Sequence, residues 1–299
     1  MRRRLVSGGL ALAVTLASSA CAPVQPRQTE GTSGASVAST TRTVAAPAAN
    51  GPPRVDSIPA HDSFIVESRA LGESRRVNVH TPAGYGSSPA VRYQVLYMPD
   101  GGLDEDFPHV VHAVDSLTAA GAIRPAIVVG IPNTQRRRDL TGPTRVGKDS
   151  TIAPRVGGSA AFRRFIRDEL MPAVRARYRV TEERAILGES LAGLFILETL
   201  LLEPSLFTHY AALDASLWWN GGALLESAAA RLAGLDGAPR TLYLASSADD
   251  IAAGSSRLAA LLRASPPPGV RWTYSPRPDL THATIFRATE AAALTHALR

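Results

Sequence analysis

The sequence predicts an α/β protein: a doubly wound, mostly parallel sheet with helices on both faces. Three observations carry this. Short apolar runs recur between residues 93 and 274 without polar alternation, as parallel strands covered on both faces require. Longer helical stretches separate them, so strand and helix alternate. One strand-to-helix junction also carries a serine among small residues, Gly188-Glu189-Ser190-Leu191-Ala192-Gly193.

The elements follow in order. Ser63 to Leu71 and Arg75 to His80 form an antiparallel pair at the sheet edge. Tyr93 to Met98 is a central strand and Ala126 to Ile131 the next. Arg184 to Leu187 is the strand before the serine. His209 to Leu213, Thr241 to Ala245 and Arg271 to Tyr274 complete the sheet. Helices are expected at Asp106–Ala120, Ala160–Tyr178, Leu191–Leu202, Ala223–Leu232, Ser255–Ala264 and Ile285–Leu298.

A serine on a sharp turn between strand and helix is the nucleophile elbow of an α/β-hydrolase fold. Small neighbours let the helix pass close to the strand, and the helix N-terminus aims free N–H groups at developing negative charge. Ala192 stands where a glycine is usual, and Gly193 follows. A helix N-cap is the plain structural role for Ser190. Chain order argues against that role, because an acid and then a histidine follow on later loops. Of seven histidines, only His282 lies in a loop after the last strand. For the acid, Asp249 is favoured over Asp250 by its offset from the strand ending at Ala245. Asp214, after the preceding strand, is a further alternative. The oxyanion donors are expected at the N–H of Leu191 and of Gly101, with Gly102 as the neighbour that could replace it. His109 and His112 are spaced for one helix face, but no acid or cysteine cluster accompanies them, so no metal is expected. No cofactor is implied.

Several motifs in order resemble one family: Tyr97-Met98-Pro99-Asp100-Gly101, Val129-Gly130-Ile131-Pro132-Asn133-Thr134, Arg136-Arg137-Arg138-Asp139-Leu140-Thr141, Arg167-Asp168-Glu169-Leu170-Met171-Pro172, the Ser190 motif, and Ser216-Leu217-Trp218-Trp219-Asn220. Together they are similar to the Putative esterase family of α/β-hydrolases, which includes esterase D, enterobactin-type siderophore esterases and feruloyl esterases. The resemblance covers residues 62 to 298 and is nearest the siderophore-esterase-like branch. It implies a serine esterase with Ser190 as nucleophile and His282 as base, acting on a small-molecule ester. Some members work with a weak or displaced acid. Acyl transfer to an alcohol, and binding without catalysis, are alternatives on the same scaffold.

Arg136-Arg137-Arg138 opens a long loop on the side where strand C-termini carry the site. Arg136 and Arg138 are candidates for attracting an anionic or oxygen-rich substrate; surface charge, with Arg138 paired to Asp139, is the plain alternative. Trp218, with Trp219, is a candidate wall of the substrate pocket, core packing being the other role for one of them.

The 299 residues suffice for one large domain with appendages. Basic Arg2-Arg3-Arg4, an apolar Leu5–Ala17 too short to span a membrane, and Ser18-Ser19-Ala20-Cys21 read as a signal peptide over residues 1–21. The single cysteine, Cys21, falls where a bacterial lipoprotein is cleaved and lipidated; ordinary cleavage would instead give a periplasmic or secreted protein. Membrane contact is expected only through that anchor. One cysteine allows no internal disulfide. Residues 22–60, rich in Ala, Pro, Ser and Thr, read as a flexible tether, leaving 61–299 as the catalytic domain. The net charge of +6 owes three units to Arg2, Arg3 and Arg4. No basic helix or stacking motif points to nucleic acid.

Overall fold

The computed structural model describes residues 56–152 and 155–299. The expected signal peptide, Cys21 and most of the expected tether lie outside the described residues. The last part of that tether, residues 56–60, lies against the domain. Asp56 pairs with Arg287, the Ser57 carbonyl accepts from His112, and the Ala60 carbonyl accepts from His80.

Eight strands are described: β1 (Asp62–Ser68), β2 (Glu73–His80), β3 (Tyr93–Pro99), β4 (Ala126–Ile131), β5 (Val180–Glu189), β6 (His209–Leu213), β7 (Arg240–Ser246) and β8 (Val270–Pro276). They form one sheet in the order β1-β2-β4-β3-β5-β6-β7-β8. β2 is antiparallel to β1 and β4; every other neighbouring pair is parallel. This is the α/β-hydrolase fold.

The helices are α1 (Phe107–Ala119), α2 (Arg136–Leu140), α3 (Gly147–Thr151), α4 (Ser159–Phe165), α5 (Met171–Arg177), α6 (Leu191–Leu202), α7 (Trp219–Ala233), α8 (Ala252–Ala264) and α9 (His282–Leu298). A π turn over Ile166–Leu170 joins α4 to α5, so the helix expected at 160–178 is one run with a widened turn. Pro172, which has no N–H to donate back along the ladder, lies just beyond that turn. The first turn of α7 holds Asn220, Gly221 and Gly222 in left-handed backbone, so its regular part starts at Ala223. The loop expected after β4 contains the short helices α2 and α3 instead of being irregular throughout.

Alternate residues of the central strands feed two cores. Val95, Tyr97, Ile127 and Val129 face Phe162, Phe165, Leu194 and Leu258 from α4, α6 and α8. Leu96, Met98 and Val128 face Phe107, Val110, Ile285 and Phe286 from α1 and α9. A strand buried on both faces must be apolar at every position, which is why these runs do not alternate. β3 has β4 on one side and β5 on the other. The winding reverses there, the place beyond the strand C-termini where open α/β sheets take their ligands. Asp100 and Ser190 follow the ends of β3 and β5 at that point.

Candidate active site

Ser190 is the single residue between β5 and α6. Its backbone sits at φ 60°, ψ −117°, a conformation a side chain disfavours. Two hydrogen bonds hold it: the Ser190 N–H donates to the Leu213 carbonyl at 3.0 Å, and the Ser216 N–H donates to the Ser190 carbonyl at 3.0 Å. Close packing explains the small residues around it. A Cβ on Gly188 would lie 2.6 Å from the Ala192 Cβ, and one on Gly193 would lie 3.0 Å from the Leu213 carbonyl oxygen and 3.1 Å from the Ala215 Cα. Alanine fits at 192 because glycine lies opposite it at 188.

The Ser190 hydroxyl lies 3.2 Å from His282 Nε2 and 3.3 Å from the Ser216 hydroxyl. His282 opens α9 instead of lying in the preceding loop. A capping box between Thr281 and Thr284 stops the helix one residue before it.

The acid is corrected. His282 Nδ1 lies 2.8 Å from Asp214 Oδ2, not against Asp249 or Asp250. Asp214 is fully buried, and it also accepts from the Ser247 N–H at 3.0 Å and the Ser247 hydroxyl at 2.8 Å. Asp249 instead accepts the backbone N–H of His282 at 2.6 Å, so it anchors the start of α9 without touching the ring. The physical reason is the sheet. β6 and β7 are adjacent, and the Asp214 N–H donates to Ala245, the next-to-last residue of β7. Either loop therefore opens toward the histidine, and the shorter reach from β6 takes the ring. Burial opposes ionisation of Asp214, but the bonds from His282 and Ser247 outweigh it and hold the carboxyl below its ordinary range. The same bond to Asp214, against burial and with help from the Glu189 and Asp249 charges, raises the His282 imidazole above its ordinary value.

The oxyanion donors are corrected in part. Leu191 is the first residue of α6 and has no intrahelical acceptor. The Gly101 N–H, however, donates to the Ile131 carbonyl at 3.1 Å. Asp100, at φ 56°, turns the chain, and Gly101 runs on beside β4 so tightly that a Cβ would sit 2.2 Å from the Ile131 nitrogen. The Gly102 N–H is held by the Glu105 carboxylate at 2.7 Å. Neither glycine presents a free donor.

The arginines separate. Arg136 makes a two-pronged pair with Asp100, at 2.6 and 2.7 Å, and its Nη2 lies 3.5 Å from the Glu189 carbonyl oxygen. Its Nη1 makes no hydrogen bond among the described residues. Arg138 belongs elsewhere: it binds Glu73 at 2.8 and 3.0 Å and Asp139 at 2.6 Å, beside the buried Arg75–Asp139 pair. Its expected role at the cleft is therefore withdrawn. Trp219 is buried and donates its indole N–H to the Gly142 carbonyl at 2.9 Å. Trp218 is 45% exposed and lines a groove with Asp250 and Ile251, between the loops after β6 and β7. Ser216, Ser247 and Glu189 join the site unforeseen. A serine pair at the end of β7 was the one sequence signal that could have pointed to Ser247. His109 bridges Asp106 and Glu290 at 3.1 and 2.6 Å.

Known proteins agree with this architecture. An IroE-like serine hydrolase from Shewanella oneidensis superposes with a TM-score of 0.73 at 26% identity, over 79% of each chain. The siderophore hydrolase EstB from Aspergillus nidulans superposes with a TM-score of 0.67 at 22% identity, over 83% of this chain and 97% of that one, and shares the fold. In sequence, the chain is 29% identical over 184 residues to the ferri-bacillibactin esterase BesA of Bacillus subtilis, covering 57% of this chain and 63% of that protein. It is 31% identical over 188 residues to a siderophore triacetylfusarinine C esterase of Aspergillus fumigatus, covering 58% and 61%. The chain thus spans less than two thirds of these relatives. The family model described as Putative esterase matches residues 68–250, more than half of the chain. With strands β2 to β7 and the serine elbow inside the matched span, the chain belongs to the Putative esterase family.

Proposed function

We propose that this protein is a serine carboxylic-ester hydrolase working through an acyl-enzyme on Ser190. The observation that supports it most is the line Ser190 Oγ, His282, Asp214, with spacings of 3.2 and 2.8 Å. His282 Nε2 takes the hydroxyl proton as Ser190 Oγ bonds to the ester carbonyl carbon and the carbonyl electron pair moves to oxygen. The Leu191 N–H faces that oxyanion. His282 returns the proton to the leaving alcohol as the C–O bond breaks, then activates water to release the acid. Asp214 keeps the ring oriented and offsets its positive charge.

The relatives named as siderophore esterases make an oxygen-rich siderophore ester the preferred substrate class. Arg136, with its free Nη1, is the cation suited to it, and Trp218 the aromatic wall. p-Nitrophenyl ester hydrolysis by the wild type and Ser190→Ala is the test. Loss of several orders of magnitude in kcat, with the fold intact, is expected; an active variant would refute the proposal.

The amino-terminal sequence supports export, with Cys21 as the lipid-bearing residue. Labelling with an alkyne fatty acid, lost in Cys21→Ser, is the expected result; labelling that persists would discard it.

A further inference from the structure

Glu189 closes β5 directly before the serine, and the mechanism above makes no use of its side chain. Its Oε1 is buried and has no hydrogen-bond partner among the described residues. Buried polar atoms are normally satisfied, so an orphaned carboxyl oxygen beside a nucleophile needs a reason.

Four charged or titratable groups act on its carboxyl by charge, each from a different element: His282 at the start of α9, Asp106 before α1, Asp214 after β6, and Arg136 on α2. Arg136 does not neutralise it, because that guanidinium is committed to Asp100 and reaches only the Glu189 carbonyl. His282 is in turn faced by Asp214, Glu189 and Asp249. Asp214 bonds the ring at Nδ1, and Asp249 is occupied by the backbone N–H. Glu189 is thus the carboxyl left over, without a hydrogen bond to fix its charge.

We propose that Glu189 is a second carboxyl partner of His282, a positioning residue that steadies the imidazolium by charge without touching substrate. This rests on the esterase proposal. As Ser190 attacks, its proton passes to His282 Nε2 and the ring becomes cationic; Glu189 exchanges no proton in that step. An ionised Glu189 lowers the energy of the cation by Coulomb attraction, strengthened where its Oε1 is shielded from water. Burial, with the Asp106 and Asp214 charges and against the His282 charge, pushes the Glu189 carboxyl up to about 7, and the Glu189 charge in turn raises the imidazole. The two groups therefore titrate as a pair.

The experiment is an NMR titration of the His282 ring in the full chain, wild type against Glu189→Gln, beside pH profiles of kcat and KM. The wild-type ring should titrate in two steps. In Glu189→Gln it should titrate in one, with the midpoint lower by on the order of one pH unit. kcat should fall by up to about tenfold, the same shift expressed in the barrier, with KM unchanged. Glu189→Asp should retain the two-step curve. A one-step wild-type curve, or equal midpoints in wild type and Glu189→Gln, would overturn the proposal. The wild-type curve decides even if the glutamine variant does not fold. The ring titration reads the pairing without any turnover, so a failure of the esterase proposal shows separately, in the Ser190→Ala assay.

Discussion

His282 Nδ1 stands 2.8 Å from Asp214 Oδ2, across 68 residues of chain. The histidine is therefore oriented by the loop after β6, while the loop after β7 supplies Ser247 to clamp the acid and Asp249 to anchor the helix that carries the ring. Two adjacent strand ends share one task.

Asp214→Asn should lower kcat by about 10³- to 10⁴-fold, since the ring loses both its orientation and its counter-charge. Asp249→Asn should cost less than about tenfold, because only the hydrogen bond to the α9 start is weakened. Steady-state kinetics on one ester checks both. Equal losses would mean that both acids serve the ring.

Backbone proximity at the elbow sets a second expectation. Gly188→Ala places a Cβ 2.6 Å from that of Ala192 and should destabilise by about 1–3 kcal/mol in urea melts. Ala192→Gly relieves nothing. It should cost about 1 kcal/mol through helix propensity and leave kcat within a few-fold.

The neighbouring arginines should behave differently. Arg138→Ala removes the bonds to Glu73 and Asp139 and should lower stability by about 2 kcal/mol, with the KM ratio of anionic to neutral esters unchanged. Arg136→Ala should raise KM for anionic esters more than for neutral ones. A selective KM effect from Arg138 would reverse the assignment.

His109 gives a pH-dependent stability. Burial lowers its affinity for a proton, but the Asp106 and Glu290 carboxylates outweigh that and raise the imidazole from 6.5 to about 9. A raised folded-state value means stability fully present below 6.5 and lost as pH climbs through about 9. The Tm gap between wild type and His109→Gln should therefore be widest below pH 6.5, shrink as pH rises from 6.5 to about 9, and level off beyond that. A gap that stays constant over that range would show that His109 acts by packing on Phe286 alone.

Much of this molecule is legible in its sequence. The runs Ala126–Ile131, Leu191–Leu202 and His209–Leu213 coincide with β4, α6 and β6, because each is mostly apolar and mostly buried along its length. His282 is legible by chain order, although the capping box that brings it into α9 escapes a reading of apolar runs. The Gly101 N–H is not legible. Whether it is free depends on how far β3 and β4 stay paired beyond Pro99, which pairs with Ile131.

The alternation of strands and helices, the serine elbow and the histidine that follows the last strand can all be read from the order of the residues. These depend on periodicity, small-residue spacing and chain order, all of which are local. Three-dimensional packing settled that Asp214 and not Asp249 holds the ring, that Arg138 belongs to Glu73 while Arg136 pairs with Asp100, and that Glu189 Oε1, beside the nucleophile, has no hydrogen-bond partner among the described residues. Each of those is a choice among chemically equal side chains, made by which strand ends the sheet sets next to one another.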